Sequence, residues 1–443
     1  MTEQTPQQWL LGHVNLEAGL NTPRSARERG APTLDRIGGL LAYFGSPELE
    51  YPAVQITGTN GKTTTAHALS TLLTYSGLRV GTITSPHLER VNERMEVDGE
   101  PVDDATLDDL LRSAELVERA VGIEASYFEI LVAIALRWFA DEAVDVAVVE
   151  VGMGGTWDAT NLVDGQVGVV TNVAVDHVEY LGTTREQIAT EKAGIVKPGS
   201  TLVLGETDPA LRPIFAAREA EQVLVRDAQF GVKRNVLAIG GRLVDFYTAQ
   251  AEYPDVFLPL HGAHQADNAA AALQAAEAFV QAPLPHDMVE AAFRAVRSPG
   301  RLEVVGRNPL LLLDGAHNVA GAHALRTALD EEFGDGSVRT LIVGFLREKE
   351  PHEMLSALGL DDLAKEETGG VLVCCRPPSP RAQLPQFVAQ AAIEMGFPEE
   401  RIEIVDSVPE AVSTALLATP DDGQIVITGS LYVVGAARSF LVK

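Results

Sequence analysis

Residues suited to gripping and transferring a phosphate stand at several places in this chain. In the run VQITGTNGKTTTAHALS, residues 54–70, a β-branched apolar stretch meets a turn marked by Gly58 and Gly61, then a helical pattern. The common phosphate-loop spacing G-x-x-x-x-G-K-[ST] asks for a glycine where this chain has Ile56, so the consensus is not met. The physics behind it is. Two glycines let the loop Gly58, Thr59, Asn60, Gly61 turn tightly into a helix starting near Lys62, Thr63 and Thr64. There the unpaired N–H groups and the helix dipole favour an anion. Lys62 is spaced to reach the outer phosphates, and the Thr63 hydroxyl to ligate Mg²⁺.

Further chemistry sits just after other strand-like runs. VDVAVVEVG ends on Glu150, and VGVVTNVAVDH carries Asp176 and His177 beyond its apolar part. Open α/β sheets bind ligands at the carboxyl ends of their strands, so Glu150 is placed as a Mg²⁺ ligand and His177 as a ligand or proton shuttle. In REQIATEKAGIVKPG, Ile188, Lys192 and Ile195 fall on one helical face, flanked by Ala189, Ala193 and Val196. Lys192 should therefore point inward, where an unpaired ammonium is costly; it must pair, lose its proton or be chemically modified. Lys197, before Pro198, reads as an exposed charge. Later, LLLLDGAHN sets Asp314, His317 and Asn318 after a buried strand, and Arg301 lies in a Pro/Gly-bearing stretch, RSPGRLEVVGRNP.

The elements that must carry these groups alternate. AVQITG, RVGTITS, VDVAVVEVG and VGVVTNV are apolar on both faces, as strands of a covered parallel sheet are. Helical patterns over residues 62–76, 103–121 and 126–140 separate them, which predicts a doubly wound α/β domain. Residues 230–260 break the rhythm with short β-like pieces, and an alanine-rich helix follows from Gln265. Residues 297–309 read as a hinge between a first domain, 1–296, and a smaller Rossmann-like α/β domain, 310–443, with strands LLLLDG, RTLIVGF, GVLVCC, IEIVD and QIVITG.

Length and composition agree: 443 residues, 46% of them hydrophobic, are enough for two packed cores. The 62 acidic residues outnumber 34 basic ones, a net charge of −28, which argues against non-specific attraction to nucleic acid or an anionic membrane. A polyanionic ligand must then be held by local donors and metal. MTEQTPQQWL lacks the basic and apolar regions of a signal peptide, and a cytoplasmic monomer is expected. The two cysteines, Cys374 and Cys375, are adjacent and should simply pack.

The stretches GTNGKT, TSPHLERVNERMEVDGEPV, SYFE, EVGMGGTWDATN, DHVEYLGTTREQIATEKAGIVKPG, GAHQADN, PGRLEVV, DGAHN and GSLY, in that order, resemble the folylpolyglutamate synthase/dihydrofolate synthase family of the Mur ligase superfamily. The resemblance implies a Mur-ligase-like central domain and an ATP-dependent ligase. Its substrates would be ATP, L-glutamate and a pteroate or folate acid, whose carboxylate takes the γ-phosphate before the glutamate amine displaces it. It implies that Lys62 grips the phosphates, that Thr63 and Glu150 hold one Mg²⁺, and that Ser85, Glu150 and His177 hold a second. Lys192 would be carbamylated. Asn268, Arg301 and Asp314 would contact ATP, His317 and Ser430 would face glutamate, and the loop at Asp158 and Ala159, with His87 and Phe128, would face the pterin acid. A monovalent cation requirement stays open.

Two spellings depart from the family. Lys62 is followed by three threonines rather than Gly-Ser, and GGTWDATN carries Thr156 and Trp157 where the family has arginine and leucine, which leaves the folate form open. The competing expectations are a peptidoglycan-precursor ligase of the same superfamily and a non-catalytic nucleotide-binding protein. The first usually carries a UDP-sugar domain ahead of the loop, and 57 residues precede Gly58 here. The second has no need for Glu150, His177, an inward Lys192 and DGAHN together.

Overall fold

β1 (Ala53–Thr57) lies in the middle of an eight-stranded sheet because all five of its residues are buried, as the both-faces-apolar pattern requires. The structure is a computed structural model describing residues 4–17, 19, 34–334, 338–365 and 369–442. The remaining strands of this sheet are β2 (Val80–Ile83), β3 (Met95–Val97), β4 (Glu100–Pro101), β5 (Val146–Glu150), β6 (Gly165–Val170), β7 (Thr201–Leu204) and β8 (Gln222–Val225). Their order is β4-β3-β2-β5-β1-β6-β7-β8, with β1 between β5 and β6. All pairings are parallel except those of the β3–β4 hairpin. The sheet direction of travel reverses around β1, the crevice where doubly wound folds bind ligands.

The helices between strands follow the expected periodicity. Lys62–Tyr75, Asp104–Val121 and Tyr127–Asp141 match the sequence reading to within one residue at most ends. Asp104–Val121 buries the stripe Leu107, Leu111, Ala114 and Val117, starts on the Asp103 cap and stops at left-handed Gly122. Tyr127–Asp141 is buried nearly all round and starts with a Ser126/Glu129 capping box. The irregular region holds a three-stranded antiparallel sheet of β9 (Gly231–Ala238), β10 (Gly241–Tyr247) and β11 (Glu252–Leu258), followed by the helix His264–Val280.

The chain divides into two compact units, residues 1–259 with 265–297, and residues 260–264 with 298–443. The second is a six-stranded sheet of β12 (Glu303–Arg307), β13 (Leu310–Leu313), β14 (Arg339–Val343), β15 (Val371–Cys375), β16 (Ile402–Val405) and β17 (Gln424–Thr428), ordered β12-β13-β17-β14-β15-β16. β12 is its antiparallel edge. Thus residues 303–307 of the stretch read as a hinge are strand, because Val304 and its neighbours pair with β13. Cys374 and Cys375 are buried free thiols in β15. Among the described residues no helix is long and apolar enough to cross a membrane.

Candidate active site

Strand register builds the site. Ile56 of β1 is level with Glu150 of β5, and Ile83 of β2 with Val149. Glu150 therefore emerges beside the start of the phosphate loop on one side, and beside Ser85, two residues past the end of β2, on the other. The Thr63 hydroxyl donates to Glu150 Oε1 at 3.1 Å and the Ser85 N–H donates to Oε2 at 3.3 Å. Glu150 is 1% exposed. A carboxylate with the Thr63 hydroxyl beside it is a hard oxygen set, and it fits a divalent cation such as Mg²⁺ that keeps several of its waters. Among the described residues no group of three or more His, Cys, Asp or Glu is gathered as a metal would need, so any cation here would rest on Glu150 with hydroxyl and water oxygens.

The loop's glycines are needed for space as well as conformation. Gly58 has φ +154°, and a Cβ there would stand 1.8 Å from Thr171 Oγ1. Gly61 has φ +85°, and its Cβ would stand 2.3 Å from Asn268 Oδ1, which places Asn268 against the loop. Gly61 is also the N-cap of Lys62–Tyr75, and no side chain caps that helix. An anion could take that role.

Two lysines share one carbonyl. Lys62 Nζ donates to Gly58 O at 3.3 Å and to Thr59 O at 3.4 Å, folded back on its own loop. Lys192 Nζ donates to the same Gly58 O at 2.8 Å. Lys192 is 3% exposed, so the inward direction read from helix periodicity is correct. Burial, reinforced by the Lys62 charge, pushes its pKa down to about 7, against the pull of Asp176 and Asp158. Lys197 corrects the sequence reading: it is half-buried, and its Nζ donates to Asn161 O at 2.9 Å and Oδ1 at 2.8 Å. Burial lowers its pKa as well.

His177 is exposed at the start of a short helix, with φ 50° and its amide on Asp176 Oδ1 at 2.8 Å. Left-handed backbone at a non-glycine residue is costly and gathers at functional positions. In the segment after β2, the His87 Nδ1 accepts from Arg94 Nε at 2.8 Å, and burial with the Arg94 charge pushes its pKa down to about 4. Asp158 is spent within its own loop. It accepts from Met153 N at 2.9 Å, Thr160 N at 3.0 Å and the Thr160 hydroxyl at 2.6 Å, so it shapes the segment in which Ala159 is buried. Phe128 packs half-buried near Gly152. The unusual Thr156 donates from N and Oγ1 to Glu191 O, at 3.1 and 3.2 Å, and so clamps the end of the Lys192 helix. Trp157 packs on the same apolar cluster.

In the second unit, Asp314 accepts from Leu302 N and Ala316 N, both at 2.9 Å. Burial raises its pKa to about 6, opposed by the Arg301 charge. The His317 Nδ1–H donates to Gly315 O at 2.8 Å. Ser430 is 1% exposed and caps the helix Leu431–Leu441 through Val433 N. Gly429 N donates to Ala316 O at 3.1 Å, which draws the His317 and Ser430 loops together.

Comparison with known proteins follows the same division. Residues 56–276 match the Mur ligase middle domain, and residues 300–431 match the Mur ligase glutamate ligase domain. The dihydrofolate synthase/folylpolyglutamate synthase of Mycobacterium tuberculosis is 38% identical over 92% of this chain and 90% of its own length. The chain belongs to the folylpolyglutamate synthase/dihydrofolate synthase family. The folylpolyglutamate synthase of Lacticaseibacillus casei is 36% identical over 92% of this chain and 94% of its own. A crystal structure of the M. tuberculosis folylpolyglutamate synthase complexed with ADP and AMPPCP superposes with a TM-score of 0.87 at 38% identity, covering 93% of this chain and 96% of that one.

Sequence reasoning missed the residues that hold this family member's phosphate loop. Asn60 N donates to Asn172 Oδ1 at 3.0 Å, Asn172 Nδ2 to Asn60 O at 2.9 Å, and the Thr171 hydroxyl to Asn60 O at 2.7 Å. The signal was the polar T-N pair ending the apolar run VGVVTNV.

Proposed function

We propose that this family member is an ATP-dependent ligase that joins L-glutamate to the carboxylate of a pteroate- or folate-type acid, forming ADP and phosphate, as dihydrofolate synthase, folylpolyglutamate synthase or both. The observation that carries the reading is the gathering of Thr63, Ser85 and Glu150 beside a loop on which both Lys62 and the buried Lys192 converge. Nucleotide phosphates occupy the N-terminus of Lys62–Tyr75, and Asn268, Arg301 and Asp314 serve ATP. Thr63, Ser85, Glu150 and His177 would hold Mg²⁺, and the metal, when bound, would supply charge neutralisation for the phosphates.

Lys62 exchanges its loop carbonyls for the γ-phosphate and stabilises charge on the transferring group. An oxygen of the acid's carboxylate attacks the γ-phosphorus and ADP departs, leaving an acyl phosphate. The glutamate α-amine then attacks the acyl carbon, the C–O bond to phosphate breaks and the amine loses a proton. His317, its ring held through Nδ1–H on Gly315 O, and Ser430 serve the glutamate side. His87, Phe128 and the Asp158–Ala159 loop serve the pterin acid.

At a pKa of about 7 a large share of Lys192 is neutral at neutral pH. Its nitrogen attacks CO₂, an N–C bond forms, a proton leaves to solvent, and the resulting carbamate presents a carboxylate to the site. The experiment is ADP release with a pteroate-type acid plus glutamate, with UDP-sugar peptides plus amino acids, and with no acceptor, with product masses read. The first should release ADP and gain one glutamate residue per turnover. Turnover confined to UDP-sugar peptides would overturn the reading.

A further inference from the structure

Val173 lies in the segment that leaves β6, and both of its backbone groups are held by side chains. Its N–H donates to Glu206 Oε2 at 2.8 Å and its carbonyl accepts from Arg185 Nε at 2.9 Å. The residue before it, Asn172, holds Asn60, and the residue after it, Ala174, exchanges two bonds of 3.0 Å with the Thr59 hydroxyl. Asp176 and His177 follow two and three residues after Ala174. The rest of the Arg185 fork is also committed: one terminal nitrogen meets Glu206 Oε2 at 3.0 Å, the other Asp208 Oδ2 at 2.7 Å. Glu206 is buried at 7% exposure, and its Oε1 accepts from Asp208 N at 2.8 Å.

Arg185 also opens the helix Arg185–Lys192, whose last residue donates to Gly58 O. The contacts therefore close a ring. It runs from the phosphate loop through residues 172–174 to Arg185, along the helix to Lys192, and back to Gly58.

We infer that Arg185, braced by Glu206, is a positioning residue that fixes Lys192 and the segment leading to His177 relative to the phosphate loop. This rests on the reading of Lys192 and His177 as site residues. A lysine cannot replace it. One planar guanidinium serves a carbonyl and two carboxylates in fixed directions, whereas an ammonium is a single point of charge. Displacing an active-site group by about 1 Å costs on the order of 100-fold in rate, so a loose ring should appear in kcat.

The test compares wild type with Arg185→Lys, Arg185→Ala and Glu206→Gln. It measures kcat, KM for the pterin acid, the thermal midpoint, and hydrogen exchange at the amides of residues 58–61. Arg185→Lys should stay folded, with kcat down about 10–100-fold, KM for the pterin acid little changed, and faster exchange at residues 58–61. Glu206→Gln should move the same way by less. Wild-type kcat and wild-type protection in Arg185→Lys would overturn the inference. So would losses that merely track the unfolded fraction in every variant. If the wild type itself makes no glutamate product, the functional reading fails on its own, and loop exchange alone decides the ring.

Discussion

Replacing Lys192 by methionine should stabilise the protein while destroying its activity. Methionine keeps the length of the stem and removes the amine. An unfolded lysine stays protonated up to its ordinary value of 10.5, whereas the buried one has lost its proton above about 7. Between those values the unfolded chain binds more protons, so wild-type stability climbs as pH rises through the window. At pH 7 the shift destabilises the wild type by about 4 kcal/mol, and by about pH 9 the penalty falls to about 2 kcal/mol. Losing the bond to Gly58 O takes back about 1 kcal/mol. Lys192→Met should therefore be more stable by about 3 kcal/mol at pH 7 and by about 1 kcal/mol near pH 9. The assay is urea unfolding of both proteins in CO₂-free buffer across that range, with ADP release measured in parallel. A difference that stays constant with pH, or a variant less stable at pH 7, would refute the buried, weakly basic amine.

Other expectations follow from single contacts. Lys62→Ala should leave the fold intact and abolish ADP release, because its charge serves the transferring phosphoryl group; near-normal release by a folded variant would remove the phosphate-loop assignment. Gly61→Ala meets a φ of +85° and Asn268 Oδ1 at 2.3 Å, and should cost about 1–3 kcal/mol in unfolding experiments together with weaker ADP binding by calorimetry. Burial raises the Cys374 thiol strongly and pushes Cys375 up to about 12, so iodoacetamide at mild alkaline pH should label both only after denaturation, as peptide masses will record.

What the sequence made legible was whatever depends on local pattern. Ile188 and Lys192 share a face over four residues, and this was enough to send the lysine inward. The helix then ends at Lys192, and Ile195 is buried through a 3₁₀ turn instead. Glu150 was readable as the polar end of an apolar strand. The strands β7 and β8 and the β3–β4 hairpin are short and carry little periodicity, so they went unread. Lys197 looked exposed because a proline follows it, while its partner Asn161 lies 36 residues earlier in the chain. The Asn172 and Arg185 contacts likewise join segments that only the sheet order brings together, and no spacing along the chain announces them.

The central claim is that the acid is activated as an acyl phosphate before glutamate attacks. Incubating the enzyme with ATP, glutamate and a pteroate-type acid labelled with ¹⁸O in its carboxylate tests it directly. In the proposed reaction one carboxylate oxygen bonds to the γ-phosphorus and leaves with it, so each phosphate released in step with amide should carry one ¹⁸O. Phosphate released without label, alongside labelled ligation product, would contradict the account.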